Sequence, residues 1–254
     1  MSNKILLIFW FIFRPKYYLH FFSLIKRKFL YNHDTPINTK RAHDWAKANA
    51  IPYIEALKTL NIQGEPVGLD DVSILEGRNL EAKSSVKMGG PGHIHLLYDC
   101  VKLLKAQNVV ETGVAYGWSS LSILKALSQN GVGKLYSIDM PYPRKNNEND
   151  VGIVVPEYLK KNWTLIRKPD NPGILEALNK IDEKIDLCHY DSDKSWWGRH
   201  YAYPILWKSL NSKGLFISDD IQDNLYFSEF VKKNLLKFAV VEFEGKFIGL
   251  IRKN

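Results

Sequence analysis

The chain has 254 residues, of which 45% are apolar and 24% charged, a composition that is typical of a folded globular protein and excludes a disordered or fibrous chain. Its net charge is +8, but six of the basic residues precede the first acid, Asp34, so the rest of the chain carries only about +2. The body of the protein therefore lacks the basic character of a nucleic-acid-binding domain. Cys100 and Cys188 show neither CxxC spacing nor a Cys/His cluster, which argues against disulfides and zinc and favours a reducing compartment.

Residues 1–33 form a basic and strongly apolar segment, beginning MSNKILLIFWFIFRPKYYLH. Its longest apolar run covers nine residues before Pro15 interrupts the pattern, whereas a helix that spans a bilayer needs about 20 residues. No small-residue cleavage site follows the run, so a signal peptide is not predicted. We expect residues 1–30 to lie in a membrane interface, attracted by anionic lipid, with a cytoplasmic protein held at the inner face of the membrane. The alternative is a hydrophobic helix that packs on the body of the protein.

Residues 34–92 read as a helical cap or lid. The stretch TKRAHDWAKANAIPYIEALKTL favours helix and is broken at Pro52, and a segment rich in Gly, Pro and Asp follows it. The last part of that segment, MGGPGH at residues 88–93, is either an ordinary loop or a segment that closes over a ligand.

Residues 93–254 alternate between strand-like and helix-like patterns. Seven strands are predicted, within NVVETG, KLYSID, WTLIRK, IDLCHYD, GLFISDD, FAVVEFE and KFIGLIRK. Helices between the strands imply an α/β, Rossmann-like, mostly parallel sheet with helices on both faces. The last two strands are joined by the short turn EGK, so we expect an antiparallel C-terminal hairpin.

The stretch VVETGVAYGWSS predicts a strand, a glycine turn and a helix, which is where a Rossmann-like sheet binds its ligand. A dinucleotide fingerprint would need glycine at positions 113, 115 and 118, but Ala115 and Trp118 stand at two of them. A pyrophosphate pressed on the helix is therefore disfavoured. A ligand without phosphate fits this loop better.

Three acids end the fourth and fifth predicted strands, namely Asp191, Asp219 and Asp220. The carboxyl ends of parallel strands meet at one edge of a sheet, so these side chains should lie together. Carboxylates at close range repel unless they are protonated or bound to a cation. Oxygen ligands without Cys favour Mg²⁺, or Mn²⁺ or Ca²⁺, over zinc.

With the acid that ends the second strand, Asp139, and the terminal hairpin, residues 88–254 resemble the class I S-adenosylmethionine-dependent methyltransferases. The resemblance implies that the glycine loop passes the methionine part of the cofactor and that the acid after the second strand accepts hydrogen bonds from both ribose hydroxyls. An acid after the third strand would accept from the adenine amino group. The cofactor-binding residues that it implies are Glu111, Gly113, Ala115, Gly117, Asp139 and Asp170.

The stretches DSDKSWW and LNSKGLFISDDI resemble the metal-dependent O-methyltransferases of the catechol type and the related sugar and macrolide methyltransferases, a group close to cephalosporin hydroxylase-like proteins. The resemblance implies a metal site at Asp191, Asp219 and Asp220, and a catalytic base at Lys194. The sequence departs from the catechol pattern, because Asp220 stands where Asn is usual. Many sugar-type relatives carry His at the position of the lysine, so His200 and His189 are alternative bases.

The sequence thus predicts methyl transfer from S-adenosylmethionine to a hydroxyl of a small molecule or lipid-linked sugar, assisted by a divalent cation, with homo-oligomer formation left open. Trp196 and Trp197 would wall the acceptor or cover the sulfonium. The structural alternatives are that the tryptophans only pack, that Asp191 and Asp219 only cap loops, that Lys194 is solvated, and that His189 is a satisfied core histidine. The rival functions are a non-catalytic membrane-tethered module, a hydroxylase-like enzyme and a nicotinamide-dependent oxidoreductase.

Overall fold

A seven-stranded sheet forms the centre of the protein, in a computed structural model that describes residues 3–141, 148–181 and 184–253, with side chains from residue 8 onward. The strand order is β3-β2-β1-β4-β5-β7-β6, and β7 runs antiparallel to both of its neighbours. The predicted mostly parallel sheet with an antiparallel C-terminal hairpin is confirmed. The strands are β1 (Asn108–Thr112), β2 (Lys134–Ile138), β3 (Trp163–Ile166), β4 (Ile185–Tyr190), β5 (Leu210–Ser218), β6 (Phe238–Phe243) and β7 (Lys246–Arg252).

Helices precede the sheet and connect its strands. Short 3-10 helices at Pro15–Tyr17, Glu157–Asn162 and Ile221–Asp223 complete the connections. The α-helices are α1 (Asn3–Ile12), α2 (Tyr18–Arg27), α3 (Pro36–Asn49), α4 (Tyr53–Thr59), α5 (Asp71–Glu81), α6 (Ile94–Leu104), α7 (Trp118–Asn130), α8 (Asp170–Lys180), α9 (Trp196–Ser209) and α10 (Tyr226–Lys233).

The sheet is buried on both faces because successive strand residues point to opposite sides. Val109 packs with α6 and α7 in one core cluster, while the next residue, Val110, packs with α8, α9 and α10 in the other. This burial explains the nearly continuous apolar runs of the central strands. The predicted helices on both faces are confirmed.

Strands β1 and β4 are neighbours in the sheet, although α7, β2, β3 and α8 lie between them in the sequence. The order in which the strands are added to the sheet therefore reverses at this point. The carboxyl ends of β1 and β4 approach closely at Gly113, which has φ +81° and would place a Cβ only 2.2 Å from the carbonyl oxygen of Asp191. Only glycine fits there. Open α/β sheets bind their ligands at such a point, outside the carboxyl ends of the strands.

The segment between the N-terminus and the sheet packs along the edge that ends in β6. The Thr39 hydroxyl donates to the carbonyl of Asp223 at 2.9 Å, and the Ile51 amide donates to the carbonyl of Val240 at 2.9 Å. The predicted break at Pro52 separates α3 from α4. The domain boundaries at residues 33 and 92 stay predictions.

Residues 3–31, comprising α1, α2 and the turn and tail beside them, form an N-terminal hairpin. Its helices pack through aromatic rings, with Trp10 stacked on Tyr17 at 5.3 Å and Phe11 against Phe21 at 4.9 Å. It also contacts the body, because Arg27 Nη1 lies 2.5 Å from Asp193 Oδ2. Within the described ranges, none of the helices has both the length and the apolar character needed to cross a bilayer.

Candidate active site

A cavity of about 510 Å³ lies at the carboxyl ends of β1, β2, β4 and β5. Its size is within the usual range for a small-molecule site, roughly 300–1,000 Å³. The glycine-rich segment 89–92 also lines it, as a segment that closes over a ligand would. Eight of the predicted site residues line it: Gly113, Ala115, Asp139, Asp170, His189, Asp191, Lys194 and Asp219.

The loop after β1 is held in a tight, left-handed shape. Ala115 has φ +49° although it is not glycine, and Gly117, the N-cap of α7, has φ +91°. A Cβ on Gly117 would lie 2.8 Å from the Cα of Gly152, so this glycine permits close backbone packing and is not among the described residues that line the cavity. The part of the loop that lines the cavity is residues 113–116.

Asp139 lies directly after β2 and faces the cavity, where the resemblance placed it. Its Oδ1 accepts a hydrogen bond from the Val114 amide at 3.0 Å, and its Oδ2 lies 2.5 Å from Arg167 Nη1. Burial raises the pKa of this carboxyl, and the hydrogen bond from Val114 and the charge of Arg167 oppose that rise. A hydrogen-bonded carboxylate beside the glycine loop fits the hydroxyls of a bound ribose.

Glu111 lies apart from the other predicted cofactor-binding residues, and its contact with the cofactor stays a prediction. This carboxylate is fully buried in β1 and accepts hydrogen bonds from the Ser120 hydroxyl at 2.5 Å and the Ser137 hydroxyl at 2.6 Å. It is not among the described residues that line the cavity. Through these two hydrogen bonds, Glu111 on β1 links that strand to α7 and to β2.

Asp170 begins α8 and contributes to the wall of the cavity. Its Oδ2 accepts a hydrogen bond from the Ser192 hydroxyl at 2.6 Å. Burial raises the pKa of Asp170 to about 6. The structure thus brings Asp170 to the same cavity as Asp139, and its contact with adenine stays a prediction.

The three predicted metal ligands lie together, but their oxygen atoms face cationic side chains. Lys194 Nζ lies 3.1 Å from Asp191 Oδ1 and also contacts Asp220 Oδ2, while Lys246 Nζ lies 3.2 Å from Asp220 Oδ1. Asp219 Oδ1 lies 3.3 Å from the Nε2 of a histidine on β4. Within residues 3–141, 148–181 and 184–253, no three His, Cys, Asp or Glu side chains are arranged to hold a metal ion.

The charges of this cluster decide the protonation of Lys194. Burial by itself lowers the pKa of Lys194, but the neighbouring Asp191 and Asp220 carboxylates raise it above its usual range. Burial and the nearby Asp219 carboxylate raise the pKa of Asp191 to about 6. In this arrangement Lys194 carries its proton, which disagrees with the role of a neutral base.

His189 is buried on β4 between two carboxylates. Its Nδ1 lies 3.8 Å from Glu111 Oε1 and its Nε2 lies 3.3 Å from Asp219 Oδ1. Burial lowers the pKa of His189, but the Asp219 and Glu111 carboxylates outweigh burial and raise it to about 10. The two carboxylates thus favour the protonated form of the imidazole, which lies beside Asp219 at the cavity.

The remaining base candidate and the two predicted aromatic walls lie elsewhere. Trp196 stacks on His33 at 3.7 Å and on His200 at 4.8 Å, and Trp197 Nε1 donates to the carbonyl of Tyr31 at 3.1 Å. None of these five is among the described residues that line the cavity. The start of α9 turns these rings toward the tail of the N-terminal hairpin, so the structure does not bring them to the cavity. The expected catalytic role of His200 and the expected tryptophan walls stay predictions.

Sequence reasoning missed two sets of residues. Arg199 is fully buried in α9 and donates to the carbonyls of Asp219 at 3.1 Å and Asp220 at 2.7 Å, so it fixes the turn that carries both acids. Its place among apolar neighbours in RHYAYPILW was the available signal. The second set lies in the N-terminal hairpin, from which Phe11, His20, Leu24 and Arg27 line the cavity. No local pattern in the sequence predicted that this segment contributes to the site.

Comparisons with known proteins agree with this geometry. Residues 110–221 match a family model described as a methyltransferase domain. Among curated proteins, none has a significantly matching sequence. The fold, however, is shared with many solved structures.

Three of these structures show the extent of the likeness. A crystal structure of a putative O-methyltransferase from Klebsiella pneumoniae has 16% identity and a TM-score of 0.53, with 84% of this chain and 99% of that chain covered. An O-methyltransferase from Bacillus cereus in complex with SAH has 15% identity and a TM-score of 0.56, with 82% and 100% covered. The O-methyltransferase TomG from Streptomyces achromogenes, involved in tomaymycin synthesis and solved with SAM, has 15% identity and a TM-score of 0.55, with 74% and 92% covered. Residues 110–221 are thus similar to a methyltransferase domain, and the chain shares the fold of solved O-methyltransferases, in agreement with the resemblance of its sequence to the class I S-adenosylmethionine-dependent methyltransferases.

Proposed function

We propose that this protein transfers the methyl group of S-adenosylmethionine to a hydroxyl group of a small molecule or a sugar, including a lipid-linked sugar. The observation that carries the proposal is that the glycine loop with Asp139 and the acids after β4 and β5 line one cavity. The O-methyltransferases among the structural relatives support oxygen as the acceptor atom. A bound S-adenosylmethionine would supply a methyl group on a cationic sulfonium.

The residues of the cavity divide the work between cofactor and acceptor. Asp139 would accept from the ribose hydroxyls and Asp170 from the adenine amino group, while the backbone at Gly113 passes the methionine part. Asp191 and Asp219, on the β4 and β5 side, would orient the acceptor hydroxyl. Much of the rate would then come from holding the two reactants in line and in contact.

The acceptor proton needs a base within hydrogen-bond reach. Asp191 lines the cavity, and a pKa of about 6 leaves it mostly ionised at neutral pH yet basic enough to accept a proton. Lys194, which holds its own proton in this arrangement, would stabilise the developing negative charge on oxygen. This proposal differs from the sequence-based prediction, in which Asp191 was a metal ligand and Lys194 the base.

The positions of Lys194, Asp191 and Asp220 do not fit a bound divalent cation, which the sequence predicted at these carboxylates. Lys194 already places a positive charge between Asp191 and Asp220, where a cation would neutralise the same carboxylates. Mg²⁺ held by Asp191, Asp219 and Asp220 requires Lys194 to withdraw. We propose that the lysine supplies this charge, so chelation by EDTA should leave the rate within about twofold.

The basic, acid-free N-terminal segment supports a place at the membrane. Six Lys and Arg residues precede the first acid, and such segments are attracted to anionic lipid by roughly 1 kcal/mol for each charge near the surface. We propose a cytoplasmic protein that associates peripherally with the inner face of the membrane. A lipid-linked sugar would be an acceptor available at that surface.

The reaction is tested with S-adenosylmethionine that carries a labelled methyl group, free sugars and polyprenyl-linked sugars as acceptors, and parallel arms with Mg²⁺ or EDTA. We expect labelled product that survives mild alkali, because a methyl ether resists hydrolysis whereas a methyl ester does not. Asp139→Ala should abolish the label. Label that alkali releases would contradict transfer to a hydroxyl, and a rate that needs Mg²⁺ would restore the predicted metal site.

A further inference from the structure

The N-terminal hairpin has an inner face that belongs to the cavity. Phe11 and Tyr17 are almost completely buried, and Phe11, Leu24 and Arg27 line the same cavity as the glycine loop. The ion pair between Arg27 and Asp193, at 2.5 Å, fastens this face to the loop that follows β4. The hairpin is therefore part of the cavity wall and more than an appended tail.

The outer face of the same hairpin is apolar and uncovered. Of the nineteen exposed large apolar side chains in the described part of the chain, ten lie between residues 8 and 31. Leu19 and Phe29 are 87% and 85% exposed. A concentration of exposed apolar side chains on this scale marks an interaction surface. The outer-face residues used below are Phe13, Leu19 and Phe22, which are exposed and are not among the described residues that line the cavity.

The charge of the hairpin selects the partner. Lys16, Lys26 and Lys28 are exposed beside the apolar outer face, and residues 1–33 contain no acid. Apolar side chains bordered by lysines suit the headgroup region of a bilayer, where rings enter the acyl boundary and ammonium groups meet anionic phosphates. A protein partner would need a large acidic and apolar surface to complement the same face.

We infer that the N-terminal hairpin docks on an anionic bilayer through its outer face while its inner face forms the roof of the cofactor cavity. The roof role rests on the proposed methyl transfer, whereas the docking role does not and instead specifies the surface used for the proposed association with the membrane. The two faces are separate sets of side chains on the same hairpin, so each can be altered without the other. Membrane docking and cofactor binding should therefore respond to different substitutions.

The test measures two properties of each full-length variant. Flotation uses vesicles of phosphatidylcholine alone or with 30% phosphatidylglycerol, and calorimetry measures the affinity for S-adenosylhomocysteine. The outer-face variant is Phe13→Ser/Leu19→Ser/Phe22→Ser, and the inner-face variant is Phe11→Ser/Leu24→Ser, with Leu24→Ser alone as a milder form. The matched control is Val72→Ser/Leu75→Ser, which removes exposed apolar side chains from α5.

We expect the unaltered protein and the control to float with the anionic vesicles and not with phosphatidylcholine alone. The outer-face variant should lose at least nine-tenths of this flotation and keep its affinity for S-adenosylhomocysteine within twofold. The inner-face variants should float normally and bind S-adenosylhomocysteine about tenfold or more weakly.

Flotation that the outer-face variant retains, or that the control loses equally, would overturn docking through this face. A dimer in solution that the same variant dissociates, without vesicle binding by the unaltered protein, would assign the face to a second copy of the chain. Unchanged affinity in both inner-face variants would overturn the roof. Failure of every form to bind S-adenosylhomocysteine would sink the proposed function and leave docking to be judged by flotation alone.

Discussion

His93 lies at the start of α6, beneath the glycine-rich segment that lines the cavity. It is buried, its Nδ1 accepts a hydrogen bond from the Leu96 amide at 3.3 Å, and its ring stacks on Phe243 at 4.5 Å. Burial lowers the pKa of His93 from 6.5 to about 4. As the pH falls, the unfolded chain therefore binds a proton at this residue before the folded protein does, which lowers the free energy of unfolding.

We predict that acid destabilises the protein through this one residue between pH 6.5 and pH 4. Relative to His93→Asn, which keeps an N-cap acceptor, the unaltered protein should lose about 2–3 kcal/mol of unfolding free energy over that range. Urea unfolding at a series of pH values measures the difference, with His43→Asn, at a half-buried histidine, as the control. Parallel pH profiles for the His93→Asn variant and the unaltered protein would contradict the assignment.

Single residues also mark where sequence reasoning was insufficient. Asp139 and Asp191 could be located because each follows a predicted strand, and position on a strand fixes the edge of the sheet that a residue reaches. Lys194 could be located but its charge could not, since its pKa depends on the distances to Asp191 and Asp220. The burial of Glu111 could not be foreseen, because the sheet is covered on both faces and a strand-end acid can therefore be enclosed in the core.

The loop between β1 and α7 is the element on which cofactor binding depends most. Gly113 needs glycine for two reasons, because its φ is +81° and because a Cβ would lie 2.2 Å from the Asp191 carbonyl oxygen. Gly131, after the same helix, shares the positive φ of +76° but has open space around it. A substitution at Gly131 therefore introduces backbone strain alone, whereas a substitution at Gly113 introduces both backbone strain and steric overlap.

We predict that Gly131→Ala costs about 1 kcal/mol of unfolding free energy, the usual penalty for a left-handed alanine. Gly113→Ala should cost at least twice as much and should weaken S-adenosylhomocysteine binding more than tenfold, because the ends of β1 and β4 must separate. Urea unfolding and calorimetry on both variants give the comparison. Equal costs with unchanged binding would show that the loop relaxes freely.

Proline and glycine are unreliable markers of helix boundaries in this chain. Helix α8 begins at Asp170, so its first turn includes Pro172 and Gly173. Proline is tolerated in the first turn because the amide that it lacks has no partner there. Similarly, α5 forms within the segment that the sequence showed only as rich in Gly, Pro and Asp. Asp70 caps this helix by accepting a hydrogen bond from the Ser73 amide at 2.8 Å.

At the scale of the whole molecule, the sheet could be predicted from the sequence, but the contribution of the N-terminal hairpin to the cavity could not. Strand and helix patterns repeat locally, and parallel connections restrict how such units assemble. The contact between Arg27 and Asp193 joins residues 166 positions apart, and neither residue carries a local signal of the other. The N-terminal hairpin was expected to contact lipid or the body of the protein, and its inner face realises the second of these alternatives.

The central claim is that this cavity binds S-adenosylmethionine through Asp139, and calorimetric titration tests it most directly. The unaltered protein and Asp139→Ala would be titrated with S-adenosylmethionine and S-adenosylhomocysteine, in Mg²⁺ and in EDTA. We expect micromolar binding by the unaltered protein in both conditions and a loss of at least a hundredfold in Asp139→Ala, since the buried carboxylate would no longer accept the ribose hydrogen bonds. Absence of binding by the unaltered protein in both conditions, or equal affinity in the folded variant, would contradict the account.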